Sequence, residues 1–154
     1  AMSDPFDLDL DADVSIDGMD AAVHILNTGV PHTVVFTDDL KNFDVLGHGA
    51  AIRNHDHFAP NGTNANFASI LGDQHIAIRT YERGVEGETL ACGTGMTACA
   101  LIHHLLNGTP SPISVDVEGG ETLEIGFVPT SNNSFTQVTL TGPADFVFQG
   151  EITI

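Results

Sequence analysis

The segment from Met96 to Gly108, MTACALIHHLLNG, constrains the fold more than any other part of the sequence. Its apolar residues recur at helical spacing, and the pair Asn107-Gly108 followed by Pro110 is typical of a helix end. The apolar surface is interrupted by few polar side chains: Thr97, His103 and His104. A helix that is apolar on most sides must be buried on most sides. The rest of the chain therefore has to enclose it.

Most of the remaining sequence has the short β-branched runs and the turns that are typical of strands. The clearest hairpin is ISVDVEGGETLEIGFV, residues 113–128, in which apolar residues alternate on each side of Gly119-Gly120. Further strands are predicted in AAVHILNTG, HTVVFTD, NFASILGDQHIAIRTYE (two strands around a turn at Gly72-Asp73), FTQVTLTG and DFVFQGEITI. A second helix is predicted in NFDVLGHGAAIRNH, with Asn42 or Asp44 as its N-cap.

Together these elements predict one domain over residues 1–154, of class α+β. In this domain a curved, mostly antiparallel sheet wraps around the central helix. A length of 154 residues, of which 42% are hydrophobic, is sufficient for a core of its own.

The charge of the chain limits its partners. Asp and Glu number 21 against 4 Lys and Arg, for a net charge of -17, so nucleic acid and anionic membranes are poor partners. No apolar run approaches the length of a membrane span. Two explanations of the acidity stay open: a well-solvated surface, or a salt-rich habitat in which screening removes the self-repulsion.

The beginning of the chain has no basic stretch followed by an apolar one, so it does not resemble a secretory signal. We therefore expect a cytoplasmic location. Ala1 in front of Met2 indicates a residue left by cloning.

The sequence contains two cysteines, Cys92 and Cys99. On one helix their Cα atoms would lie about 10 Å apart, which is too far for a disulfide between them. We expect two free thiols. Cys99 lies between apolar helical neighbours, and we interpret it as a core residue.

Cys92 precedes the central helix within the small-residue stretch Ala91–Gly95. Thr94 is the predicted N-cap, and the N–H groups of the first helical turn can bind a carboxylate. The positive helix end also favours a thiolate, which would lower the pKa of Cys92 from about 8.5 to about 7.5. From these residues alone, an acid/base thiol and a small buried cysteine both remain possible.

Four stretches of the chain carry a resemblance to a known family. YERGVEGETLACGTG, residues 81–95, resembles the second cysteine motif of diaminopimelate epimerase, a cofactor-independent enzyme family of lysine and cell-wall biosynthesis. Other landmarks of its C-terminal half are matched in the same order by TGVPHTVVF, GTNANF and TGPADFVFQGEI. The resemblance extends from about Asp4 to the end.

The resemblance implies a two-base mechanism that interconverts LL- and meso-diaminopimelate. One thiolate removes the α-proton of the amino acid, and a thiol on the opposite face returns a proton. Cys92 matches the second of these cysteines. Gly93 and Thr94 match the backbone cradle of the α-carboxylate.

The same resemblance implies the remaining site residues. Glu82 and Arg83 match a substrate-binding pair, and Asn64 matches an asparagine that contacts the substrate. His32 and Glu82 match groups that set the pKa values of the thiols. Without the family context, a surface ion pair for Glu82 and Arg83 and a turn-capping role for Asn64 stay open.

Two departures from the family pattern stand out. Val30 occupies a position before Pro31-His32 where many members have asparagine. In addition, nothing in the chain matches the Cys-Gly-Asn-Gly type motif that carries the partner cysteine.

We therefore expect the chain to be the C-terminal half of such an enzyme and to be inactive alone. Its expected partners are diaminopimelate and the missing N-terminal half. Apolar surface left uncovered by that half would favour self-association, for example as a homodimer.

Two alternative functions remain open. Another racemase of the superfamily, of the proline or hydroxyproline type, is disfavoured because proline has no distal groups for Glu82 and Arg83 to bind. A non-catalytic binding or assembly module is favoured by the missing partner thiol.

No cofactor and no metal are expected. A pyridoxal enzyme needs a Schiff-base lysine, and the only lysine, Lys41, lies in a polar stretch without supporting features. The histidines in His55-Asp56-His57 and His103-His104 lack zinc-site spacing.

Overall fold

The structure, a computed structural model, describes residues 1–144 and 146–152. Its strands form one nine-stranded sheet. Their bounds are β1 Phe6–Asp9, β2 His24–Asn27, β3 Pro31–Phe36, β4 Asn64–Gly72, β5 His75–Glu82, β6 Gly87–Thr89, β7 Ile113–Val117, β8 Thr122–Pro129 and β9 Phe135–Thr141. The α-helices are α1 Val45–Arg53 and α2 Gly93–Asn107, and short 3₁₀ turns cover Asp56–Phe58 and Ser131–Asn133.

The strand order is β1-β2-β3-β4-β5-β7-β8-β9, and β6 pairs with β5 beside this path. All pairings of the described sheet are antiparallel except β3 with β4 and β5 with β7. Parallel neighbouring strands need a crossover connection, and each of the two parallel pairs has one. Helix α1 lies in the connection from β3 to β4, and α2 lies in the connection that leads to β7.

Helix α2 is enclosed by the sheet, as its apolar sequence predicts. It contacts β2, β3, β4, β5, β7 and β8. Every residue from Gly95 to His103 is buried. The predicted class, an α+β fold with a curved, mostly antiparallel sheet around a central helix, is confirmed.

The sheet has a core on each face. In β3, Val34 belongs to the core on the α2 side and Val35 to the core on the α1 side. In β4, Ala68 and Phe67 divide in the same way. Because successive side chains of a strand point to opposite faces, the central strands are apolar on both sides. Helix α1 covers the second face through its contacts with β4, β5 and β6.

Two of the three predicted helix ends agree with the structure. Asp44 is the N-cap of α1, and its Oδ1 accepts the N–H of Gly47 at 2.9 Å. Gly108 ends α2 in the left-handed conformation, with φ of 68°. The predicted N-cap Thr94 is wrong, because α2 already begins at Gly93.

Cys92 is the N-cap of α2. Its backbone is extended, while its carbonyl oxygen already accepts the N–H of Met96 at 2.9 Å. With this bond the helix starts at Gly93, so Thr94 lies inside the first turn rather than in front of it.

The strand predictions hold for β2 to β5 and for β7 to β9, whereas β1 and β6 were not predicted. The closing segment DFVFQGEITI is not a strand over residues 146–152. Asp145, Thr153 and Ile154 of this segment lie outside the described residues. Within the described chain, no helix combines the length and the apolar character needed to cross a bilayer.

Truncation of Leu101 tests the central position of α2. Leu101 is fully buried, whereas Leu106 on the same helix is 41% exposed. Leu101→Ala should lower the free energy of unfolding by about 2–5 kcal/mol, since it removes buried methyl groups and leaves a cavity. Leu106→Ala should cost about 0.5 kcal/mol or less. Urea unfolding of both variants measures the difference, and equal losses would contradict a buried α2.

Candidate active site

Five polar residues of three adjacent strands lie on one face of the sheet. His32 of β3 is the register partner of Asn64 of β4, and Asn66 is the partner of Thr80 of β5. Paired residues of neighbouring strands share a face, as do residues two apart on one strand. Glu82, two residues after Thr80, therefore joins the same face.

The N-terminus of α2 meets this polar face directly. A Cβ at Gly95 would clash with Oδ1 of Asn66 and would lie against Sγ of Cys92. Only a glycine therefore fits at this position between strand and helix. The hydroxyl of Thr28 also donates to the carbonyl oxygen of Thr94 at 2.9 Å. These contacts hold the helix start, and Cys92 with it, against the polar strand residues.

Cys92 is buried, with 8% of its surface exposed. Burial raises its pKa, and the negative charge of Glu82 raises it further. Opposing contributions come from the hydroxyl of Thr94, whose oxygen lies 3.6 Å from Sγ, and from the backbone N–H of Gly95. The predicted lowering of the pKa to about 7.5 is wrong for this chain, because removal of the sulfur from water outweighs the helix end.

His32 is fully buried in β3. Burial lowers the pKa of its imidazole to about 3, and the positive charge of Arg83 acts in the same direction. The contact with Asn66 only partly opposes these effects. His32 is therefore a neutral imidazole throughout the physiological pH range.

Asn64 connects β4 to the residue that follows β5. Its Oδ1 accepts the backbone N–H of Arg83 at 2.8 Å, and its Nδ2 lies 3.4 Å from the carbonyl oxygen of Pro31. The half-buried guanidinium of Arg83 donates from Nη1 to the carbonyl oxygen of Asn61 at 3.1 Å. Asn64 thus joins β3, β4 and the end of β5 rather than capping a local turn.

The surface ion pair considered for Glu82 and Arg83 does not form in the described part of the chain. The arginine ion pairs of that part are instead Arg53 with Glu86 and Arg79 with Glu88 and Glu118. Both Glu82 and Arg83 are half-buried at the end of β5. Their charges act on Cys92 and His32 respectively.

The structure brings the predicted site residues into one region, linked by the contacts described above: His32, Asn64, Glu82, Arg83, Cys92, Gly93 and Thr94. Sequence reasoning missed Asn66, Thr80 and Thr28. The signal for Asn66 was incomplete, because the predicted strand began at Asn66, whereas β4 begins at Asn64 and so places both side chains on one face. Thr28 and Thr80 offer no comparable pattern.

The remaining cysteine, Cys99, lies seven residues farther along α2 than Cys92. Cys99 is a fully buried core residue, and burial raises the pKa of its thiol, as expected for packing. Both cysteines are free. No group of three or more potential metal-ligating side chains occurs in the ranges that the structure covers.

The buried His32 makes stability depend on pH. Unfolding returns its pKa from about 3 to about 6.5, so the unfolded chain binds a proton that the folded chain excludes. This contribution to stability is complete above pH 6.5 and is lost as the pH falls toward 3. Between pH 6.5 and 5 the loss of stability should amount to about 1.6 kcal/mol, because a pKa unit corresponds to about 1.4 kcal/mol and the unfolded histidine is already half protonated at pH 6.5.

Urea unfolding at pH 6.5 and pH 5 should therefore show a larger loss in the wild-type chain than in His32→Gln. The exposed His57 supplies the control, since His57→Gln should retain the wild-type dependence. If His32→Gln lost as much stability as the wild type, the imidazole would not be neutral in the fold.

Comparisons with known proteins identify the family of the chain. The family model described as Diaminopimelate epimerase matches residues 24–147. Diaminopimelate epimerase of Hydrogenobaculum sp. is 49% identical over 134 residues, covering 84% of this chain and 46% of the relative. The enzyme of Aquifex aeolicus is 43% identical over 141 residues, with 91% and 49% covered. That of Archaeoglobus fulgidus is 45% identical over 138 residues, with 90% and 46% covered.

Among solved structures, the PhzF-family phenazine biosynthesis protein of Bacillus anthracis aligns with a TM-score of 0.49 at 15% identity. The alignment covers 86% of this chain and 38% of that one. The chain spans about half the length of the curated relatives it matches. The matches over most of its residues show that the chain belongs to the diaminopimelate epimerase family.

Proposed function

We propose that this chain forms the C-terminal half of a diaminopimelate epimerase and supplies one of its two acid/base thiols. The completed enzyme would interconvert LL- and meso-diaminopimelate without a cofactor. The observation that carries the proposal is Cys92 at the N-cap of α2, held against the polar face of β3, β4 and β5. A thiol there adjoins both a helix N-terminus and the residues for which the family resemblance implies substrate binding.

The protonation state of Cys92 supports a specific role in the first step. Since burial raises the pKa of this thiol, it carries its proton at neutral pH. It would then act as the acid that delivers a proton to the α-carbon, while a thiolate of the other half removes the proton from the opposite face. In the reverse direction the two roles exchange, and Cys92 becomes the base.

The helix start supports the binding of the α-carboxylate. The N–H groups of the first turn of α2, at Gly93 and Thr94, carry the positive end of the helix dipole. Negative charge that develops next to the α-carbon during proton removal would be stabilised there. Proton transfer by Cys92 and charge stabilisation by the helix would therefore act on the same carbon.

Glu82 and Arg83 support the choice of a substrate with two amino-acid ends. A guanidinium can bind a carboxylate through two parallel hydrogen bonds, and a carboxylate can bind an ammonium group. Arg83 and Glu82 would hold the distal carboxylate and the distal ammonium of diaminopimelate respectively. Asn64 fixes the backbone of Arg83 and so sets the position of this pair.

A partner half is part of the proposal. Stereoinversion needs acid/base groups on both faces of the α-carbon, and Cys92 can serve only one face. We propose that the chain alone does not invert its substrate. Exposed apolar side chains in the closing segment favour a partner that covers them: Phe146, Val147, Phe148 and Ile152.

Removal of the thiol tests the proposal in an enzyme completed with a first half that carries the partner cysteine. Cys92→Ala should lower kcat by about 10²–10⁴-fold, because one face of the α-carbon loses its proton donor. Cys99→Ala is the matched control, since its sulfur lies in the core, and it should retain activity. Turnover is followed by chiral separation of diaminopimelate stereoisomers in heavy water. Normal turnover of Cys92→Ala would overturn the proposal.

Substitution of the guanidinium tests the choice of substrate. Arg83→Lys should raise KM for diaminopimelate about tenfold or more, because an ammonium cannot present the planar two-donor fork. The control Arg53→Lys alters an arginine that pairs with Glu86 and should leave KM unchanged. An unaltered KM in Arg83→Lys would assign Arg83 to a structural role.

A further inference from the structure

Asn66 and His32 form a buried polar pair beneath the start of α2. Both side chains are fully buried. Nδ2 of Asn66 lies 2.9 Å from the carbonyl oxygen of Thr33 and 3.1 Å from Nδ1 of His32. Oδ1 of Asn66 accepts the hydroxyl of Thr80 at 3.0 Å. The other ring nitrogen, Nε2 of His32, is buried without a hydrogen-bond partner among the described residues.

The orientation of the Asn66 amide follows from its neighbours. The carbonyl oxygen of Thr33 can only accept a hydrogen bond, so the amide atom beside it must be the NH₂ group. The oxygen of the amide then faces the hydroxyl of Thr80, which donates. Both assignments agree. A flipped amide would place its oxygen against the carbonyl oxygen of Thr33, and both of these atoms can only accept.

The orientation of Asn66 determines the tautomer of His32. One N–H of the amide donates to Thr33, and the other is directed to Nδ1 of His32. Nδ1 must accept this bond through its lone pair. A neutral imidazole carries a single proton, which is therefore on Nε2. The ring thus presents a buried Nε2–H donor that lacks an acceptor.

A donor of this kind needs an acceptor, since a buried polar group without a partner is destabilising. The positive charge of Arg83 acts on the same ring, which favours an acceptor that is negatively charged. Carboxylates and thiolates satisfy this condition. No described residue places a carboxylate or a thiolate within hydrogen-bond distance of Nε2.

We propose that Asn66 is a positioning residue that holds His32 as a neutral Nε2–H donor toward an anionic acceptor in the occupied site. His32 would then stabilise negative charge during the reaction without exchanging a proton itself. This role in turnover rests on the proposed function, whereas the tautomer does not depend on it.

Nitrogen NMR of the uniformly ¹⁵N-labelled chain tests the tautomer directly. Of the 8 histidines, the His32 signals are identified by their loss in His32→Gln. Long-range ¹H–¹⁵N correlation should show an unprotonated Nδ1 and a protonated Nε2. A protonated Nδ1 would overturn the proposal, and this measurement needs no altered side chain at Asn66.

Substitutions test whether Asn66 determines the tautomer of His32. In Asn66→Asp the carboxylate can only accept, so the proton of His32 should move to Nδ1. Thr80→Val is the matched control, since it removes another hydrogen bond of the same amide and should leave the proton on Nε2. A purely structural role of Asn66 would give the same tautomer in all three chains, and that result would overturn the proposal.

Kinetics in the completed enzyme test the donor. Asn66→Asp should lower kcat by about 10²-fold, as for the loss of a donor to developing negative charge. An active Asn66→Asp enzyme in which the tautomer has changed would overturn the donor role of His32. Failure of the proposed function would be recognised separately, because Cys92→Ala would then also retain its activity.

Discussion

Burial of α2 inside the curved sheet is the constraint on which the rest of the structure depends. The helix is apolar on most sides, so strands on both sides of its axis must contact it, and the sheet has to bend to do so. Its N-terminus consequently ends against β3, β4 and β5 rather than in solvent. Gly95 permits this contact, because any side chain there would strike Asn66. One packing requirement thus brings a helix end, a thiol and a polar strand face together.

The same burial decides the electrostatics of the site. At Cys92 the helix end and its N–H groups favour the thiolate, but loss of hydration opposes it more strongly, and the pKa rises. At His32 burial and the charge of Arg83 both disfavour the cation, so the ring is neutral. Cys92 and His32 are therefore both uncharged near neutrality. An anionic ligand would meet donors there and not a competing thiolate.

The sequence predicted elements whose signal is local. The apolar period of α2, its glycine end and the 113–128 hairpin are each contained in a short stretch, and all were confirmed. β1 lies in an acidic stretch whose composition is typical of a solvated surface. It forms a strand because β2 pairs with it. β6 has three residues and is defined only by β5. Residues 146–152 have the composition of a strand but pair with none in the described chain, because a strand needs a neighbour as well as a pattern.

The sequence by itself determined which residue types stand at the mouth of α2, since the motif around Cys92 and the segments with His32, Asn64, Glu82 and Arg83 are contiguous stretches with family resemblance. Tertiary structure alone decided the start of the helix at Gly93, the direction of the Cys92 pKa and the contact of Asn66 with His32. These properties depend on distances and on burial between residues far apart in the chain. Hydration and hydrogen-bond partners are set by what surrounds an atom in space, and a linear pattern carries no record of that environment.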